Sequence, residues 1–149
     1  HLHVFRRRLE EEVARASRHR HPVSCVAIGP DPGAPLEPES ALRDLAMFVK
    51  ANLRKTDLLS RDTSGHLLLM LPVTPAEGAR VKADRLRSAI QGLDLGGAPA
   101  GSVTISLGVA AGIPNGPDGA ADLVQASLAA LHEAQSKGGN AVIVHPLSC

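Results

Sequence analysis

Arg54, Asp57, Arg61 and Asp62 stand within nine residues of one another, in the stretch RKTDLLSRDTSGHLLLMLP that covers residues 54–72. An arginine offers a planar fork of donors that fits a phosphate, or the O6 and N7 acceptors of guanine. An aspartate offers two acceptor oxygens that fit the N1 and N2 donors of the same base. Arg54 and Asp57 therefore have the chemistry to hold a guanine nucleotide. They equally suit a helix-end cation and a surface pair, and Arg61 suits an exposed strand position beside a turn. An Arg-x-x-Asp spacing is a weak motif alone, so its meaning comes from its frame.

That frame has the pattern of a hairpin. Residues 58–62 are apolar and polar by turns. Asp62-Thr63-Ser64-Gly65 is a tight reversal, because Asp and Ser bond local backbone and Gly accepts positive φ. Residues 66–71 are apolar almost without a break, which suits a strand covered on both faces. No other catalytic constellation emerges. Ser64 before Gly65 lacks a G-x-S-x-G frame and a base. Gly96-Gly97 matches no phosphate loop. His66 beside the turn suits a surface or packing role, and His1, His3, His19 and His21 lack zinc spacing.

The rest of the chain must position this hairpin. With 149 residues and 44% hydrophobic content, one domain with a real core is expected over residues 1–149. Phe5 and Phe48 are the only aromatics, so the core is aliphatic. A net charge of +1 gives no global pull towards nucleic acid or anionic membrane. The longest apolar run, near residues 67–73, is too short to span a membrane. Cys25, in an expected buried strand, and the terminal Cys149 form no disulfide framework, which fits a reducing compartment. A chain opening on His1 is expected to be a module of a longer protein.

Helical periodicity appears at residues 3–19, 39–53, 75–90 and 120–137, and apolar strands at 23–28, 103–110 and 140–144. In the first helix Arg8–Glu12 and Glu11–Arg15 are spaced for surface pairs. Thr74-Pro75-Ala76-Glu77 has the residues of a capping box, and Asp118 those of a cap. Residues 29–35 are rich in breakers, and residues 92–101 should be a loose loop. The order helix–strand–helix–hairpin–helix–strand–helix–strand predicts an α/β fold. It should be a ferredoxin-like palm, with a mixed central sheet and an added β-hairpin, flanked by helices.

In these residues the chain resembles the GGDEF family, the diguanylate cyclases that join two GTP into cyclic di-GMP. The family frame R-x-x-D, R-x-G-G-[DE]-E-F and a strand ending in Pro is met by Arg54, Asp57, Arg61, Thr63-Ser64-Gly65-His66-Leu67 and LLMLP. VTISLGVA at residues 103–110 matches the family's V-T-[VI]-S-[IL]-G-V-A. A-L-H-E-A-Q-S-K-G-G-N-A-V is similar to its A-L-Y-x-A-K-x-x-G-R-N-x-V. The resemblance runs over residues 4–144 and implies a nucleotide-cyclase palm. The family's leading LTGLPNRR-like segment and its Asn-bearing loop are missing.

The resemblance implies that the catalytic chemistry is lost. Gly29 and Gly65 stand where the family holds its metal with acids, and Thr63, Ser64, His66 and Leu67 replace the rest of the signature. Gln135 and Gly139 replace the basic residues that neutralise GTP phosphates. A catalytically inactive domain is expected, with no metal and no cofactor. The family's separate cyclic di-GMP site is implied at Arg54 and Asp57. In A-D-R-L-R, Arg87 is a closer match than Arg85 to the arginine that completes that site. Glu39 falls where the family reads guanine, or serves as helix N-terminal charge.

The implied role is a cytoplasmic, bacterial cyclic di-GMP receptor, with a homodimer or a partner domain completing the site. A protein-interaction or dimerisation module that binds no nucleotide is the alternative. Nucleic-acid binding is set aside, since no aromatic falls in a strand to stack bases. Membrane insertion by this domain is not expected.

Overall fold

Along the chain come α1 (Leu2–His19), β1 (Val23–Pro30), α2 (Pro38–Ala51), β2 (Leu58–Arg61) and β3 (Leu67–Pro72). They are followed by α3 (Ala76–Ile90), β4 (Ile105–Gly112), α4 (Gly119–Ser136) and β5 (Val142–Pro146). This is the expected order, seen in a computed structural model that describes residues 2–33, 38–116 and 118–147. The strands form one sheet in the order β2-β3-β1-β4-β5. β1 runs antiparallel to both β3 and β4, and β4–β5 is parallel. β3, β1 and β4 are the inner strands, and all three are apolar and buried on both faces.

Two aliphatic layers cover the sheet. On one face Leu42, Leu45 and Val49 of α2 and Ala83, Leu86 and Ile90 of α3 meet Val26, Leu69 and Val109. On the other, Phe5, Leu9 and Val13 of α1 and Leu123 and Val124 of α4 meet Cys25, Leu68 and Met70. α4 lies directly on β4 because residue 108 is glycine. A Cβ there would stand 2.2 Å from the Ser127 carbonyl oxygen and from the Leu131 nitrogen. The Cys25 thiol is wholly buried, and burial pushes its pKa up to about 11, so it is an inert group. Cys149 lies outside the described residues.

Several local expectations are corrected. Thr74 does not cap α3: the helix starts after Pro75 with no side-chain cap. The Thr74 hydroxyl donates instead to the Pro72 carbonyl, and Glu77 pairs with Arg80. Asp118 likewise gives α4 only its carbonyl, which accepts from the Asp122 N–H. In α1, Glu12 is buried and pairs with Arg15, three residues on, in place of the two four-residue pairs. The loop at residues 92–101 is not loose, since Leu95 and Ala98 pair and are buried. β1 continues to Pro30, whose missing N–H costs little at a strand end. The breaker-rich loop then passes through residues 34–37, outside the described residues. β4 and β5 each begin two residues later than their apolar runs. At β5 the reason is Asn140, which takes a positive φ of 50° and belongs to the turn.

Candidate functional site

The β2–β3 hairpin carries candidate residues at both ends. At its tip, the Asp62 N–H donates to the His66 carbonyl at 2.7 Å and closes the turn, with Gly65 at φ 87°. The Asp62 carboxylate accepts from the Thr63 N–H at 2.8 Å and from the Ser64 hydroxyl at 2.5 Å. The Ser64 Oγ also lies 3.2 Å from His66 Nδ1. The hydrogen bonds are those of turn chemistry.

The end of β1 lies beside this tip, and the space over Gly29 is filled. A Cβ at Gly29 would stand 3.0 Å from His66 Cδ2 and 3.3 Å from Gln135 Nε2. Gln135 is held there by donating to the Pro30 carbonyl at 3.1 Å. Asp31 borders a cavity of about 340 Å³ with Ser64, Gly65 and His66, but its carboxylate is already engaged. Its carboxylate accepts from Thr104 Oγ1 at 2.6 Å, Ser106 Oγ at 2.7 Å and the Asn140 N–H at 2.7 Å. Gly139 makes room for it: a Cβ there would lie 2.6 Å from the Asp31 carboxyl carbon. Glu39 and Arg61 form a two-bond pair at 2.7 and 3.0 Å, so the Glu39 oxygens are already engaged.

Mg²⁺ takes hard oxygen ligands, usually one or two carboxylates beside the phosphates. Gly29 and Gly65 supply none, and the carboxylates of Asp31 and Asp62 are spent on the protein itself. Among the described residues no group of three or more His, Cys, Asp or Glu could hold a metal ion. The residues present do not fit the metal that the family resemblance implies.

The other end of the hairpin is built differently. The Asp57 side chain is wholly enclosed, at 0% exposure, while that of Arg54 is 56% exposed. Asp57 accepts from the Arg54 backbone N–H at 2.9 Å and from Arg54 Nη2 at 3.1 Å. Arg54 Nη2 also donates to the Pro72 carbonyl at 3.2 Å and to Thr74 Oγ1 at 2.9 Å. Buried Ser24 donates to the Thr74 carbonyl at 2.6 Å and pins this partner segment to β1. Between Pro72 and Thr74, Val73 takes φ 50°, a strained value for a β-branched residue. Such strain persists where surrounding contacts over-determine it, and here it aims both flanking acceptors at Arg54.

Asp57, expected to accept from guanine, is enclosed here, with its carboxylate on the Arg54 backbone N–H and guanidinium. Arg54 lines a cleft of about 500 Å³ between the end of α2 and α3, with Phe48, Asn52, Lys82 and Arg85. Arg87 is not in it. Its guanidinium donates to Asp84 and, at 3.0 Å, to the Asn140 side chain on the β5 side of α3. Motif matching favoured Arg87, but helical phase puts Gly78, Lys82, Arg85 and Ala89 on the cleft face. That spacing was available in the sequence. Lys82, which donates to the Asn52 carbonyl at 2.5 Å, also lines the cleft and lies outside the expected set. Among the described residues Arg85 has no acidic partner.

The mixed five-stranded sheet flanked by helices, with a β-hairpin at one edge, is a nucleotide-cyclase-like palm. Residues 37–141 match the family model described as diguanylate cyclase, GGDEF domain, and the chain belongs to the GGDEF family. No curated protein matches the sequence significantly. Among solved structures it is similar to the active GGEEF domain of a diguanylate cyclase from Vibrio cholerae. The identity is 23%, over 94% of this chain and 93% of that one, with a TM-score of 0.78. The GGDEF domain of YfiN (TpbB) from Pseudomonas aeruginosa is 22% identical over 97% and 95%, with a TM-score of 0.81. The GGDEF domain of DgcB from Caulobacter crescentus, in complex with c-di-GMP, is 15% identical over 94% and 85%, with a TM-score of 0.78. At these identities the likeness is one of fold. Among the described residues no helix is long and apolar enough to cross a membrane.

Proposed function

We propose that this GGDEF domain is a receptor for cyclic di-GMP and does not make it. The observation that carries this reading is the held arginine. Arg54 is fixed by a buried carboxylate and two further acceptors, yet keeps half its side chain in solvent at the mouth of a cleft. A cyclic dinucleotide brings two phosphates and two guanine bases. Lys82 and Arg85 are placed for phosphate, Arg54 for phosphate or the O6/N7 edge, and Phe48 for a base face. Arg54 and Asp57 thus remain the core of the ligand site, with Asp57 in a positioning role and Arg85 in the place expected of Arg87. GGDEF domains such as that of DgcB hold the same compound.

Loss of synthesis follows from the same chemistry. Joining two GTP requires metal ions to neutralise triphosphate charge and activate a 3′-hydroxyl. Gly29, Gly65, Gln135 and Gly139 supply none of the groups for it. A second copy or a neighbouring bacterial signalling domain would close the open side of the cleft in the cytoplasm. The test is calorimetry of the purified chain with cyclic di-GMP, beside chromatography of a GTP–Mg²⁺ incubation. The reading predicts saturable heat, lost in Arg54→Ala, and no product. GTP turnover, or no heat at high micromolar ligand for a folded sample, contradicts it.

A further inference from the structure

A second groove runs along the opposite side of Arg54, between α2 and β2, with a volume of about 590 Å³. One wall is a single face of α2, with Arg43, Ala46, Met47 and Lys50 at helical spacing. The floor is aliphatic, formed by Leu53, Leu58 and Leu59. Met47 stands 68% exposed over it, the most exposed of the large hydrophobic side chains among the described residues. Methionine in this position is an adaptable contact group of the kind that protein-binding surfaces use. No aromatic ring lines this groove.

Its charge is one-sided. Arg43, Lys50, Arg54, Lys55 and Arg61 line it against Glu39 and Asp57, five positive against two negative, a balance of +3. The two acids are paired with Arg61 and Arg54. The three remaining cations form no salt bridge among the described residues. The whole chain carries only +1, so the charge is concentrated here. β2 is also an edge strand: it pairs with β3 alone and leaves its outer backbone groups open. Open strand edges add a further strand through main-chain hydrogen bonds, while pockets for alternate side chains set specificity.

We propose that this groove takes a short extended peptide of a partner protein, acidic and aliphatic by turns, as a strand beside β2. Its aliphatic side chains pack on Met47 and Leu59, and its carboxylates face Arg43, Lys50 and Lys55. Arg54 borders both spaces, but Met47 and Lys50 do not line the cleft with Arg85, so substitutions there test the groove and leave that cleft intact.

The probe is a fluorescein-labelled seven-residue peptide of alternating glutamate and valine, titrated with the whole chain by fluorescence polarisation. The control peptide carries lysine in place of glutamate. Saturable binding is expected to weaken at least tenfold in both Met47→Glu and Lys50→Glu, to fall with added salt, and to be unchanged in Arg85→Ala. Both substituted positions are exposed, and circular dichroism verifies that the variants fold. The proposal is overturned by absent binding, by binding indifferent to both substitutions, or by equal binding of the lysine peptide. A wild-type dimer that Met47→Glu dissolves would also overturn it, by giving the groove to a second copy. So would cyclic di-GMP affinity that falls in Met47→Glu.

Discussion

The two ends of the β2–β3 hairpin use the same residue types to opposite effect. At the tip, carboxylates and small residues are turned on the protein itself. Asp31 collects three donors, Asp62 closes its own turn, and His66 and Gln135 fill the space over Gly29. At the other end a buried Asp57 holds Arg54 outward, and two more cations line the same cleft. Whether a charged group serves a ligand depends on which partner is buried. Asp31 is consumed by its partners, whereas Asp57 is consumed in order to present its partner.

The comparison breaks first at Asp31. Removing its carboxylate leaves two hydroxyls and the Asn140 N–H to find new acceptors. Asp31→Ala should therefore lower stability by about 3 kcal/mol in urea unfolding, with little effect on cyclic di-GMP binding. A loss of ligand affinity without loss of stability would show the tip to be a live site. Asp57→Ala should cost about 2 kcal/mol, since it strands the Arg54 N–H and guanidinium, and should weaken cyclic di-GMP binding as well. The pairing of the two losses is the signature of a positioning residue. Intact affinity in a destabilised variant would remove Asp57 from the account.

Smaller changes sharpen the contrast. Val73→Gly relieves the positive φ and should change stability by only about 1 kcal/mol, towards the stable side, while loosening the segment that aims at Arg54. A thermal-shift series with and without cyclic di-GMP separates the two effects. The smallest change is expected at the exposed pair. Hydrogen bonding and charge from Arg61 hold the Glu39 carboxyl below its usual 4.5. A lowered folded-state value contributes stability above the unfolded value, and that contribution is lost as pH falls through the folded one. In Arg61→Ala the Glu39 titration should return towards 4.5 by NMR, with no change in ligand affinity at neutral pH.

Much of this was legible in the residues. Apolar periodicity placed every element in order, because both sheet faces and the inner helix stripes must be aliphatic in a chain with two aromatics. Gly29, Gly65 and Gly139 announced missing side chains by their identity alone. What periodicity could not show was who takes each polar group. Thr74 has the sequence of a cap but is drawn to Arg54, twenty residues earlier, and Asp57 turns inward through that same cluster. Such choices depend on partners brought together by the fold. The choice of Arg87 over Arg85 is different. Helical phase places Gly78, Lys82, Arg85 and Ala89 together on the cleft, whereas motif spacing points to Arg87.

That choice also gives the most direct test of the account, calorimetric titration of cyclic di-GMP into the wild type, Arg85→Ala and Arg87→Ala side by side. If the nucleotide sits between Arg54 and α3, Arg85→Ala loses at least tenfold in affinity, about 1.4 kcal/mol, and Arg87→Ala matches the wild type. Affinity lost in Arg87→Ala but kept in Arg85→Ala would contradict it.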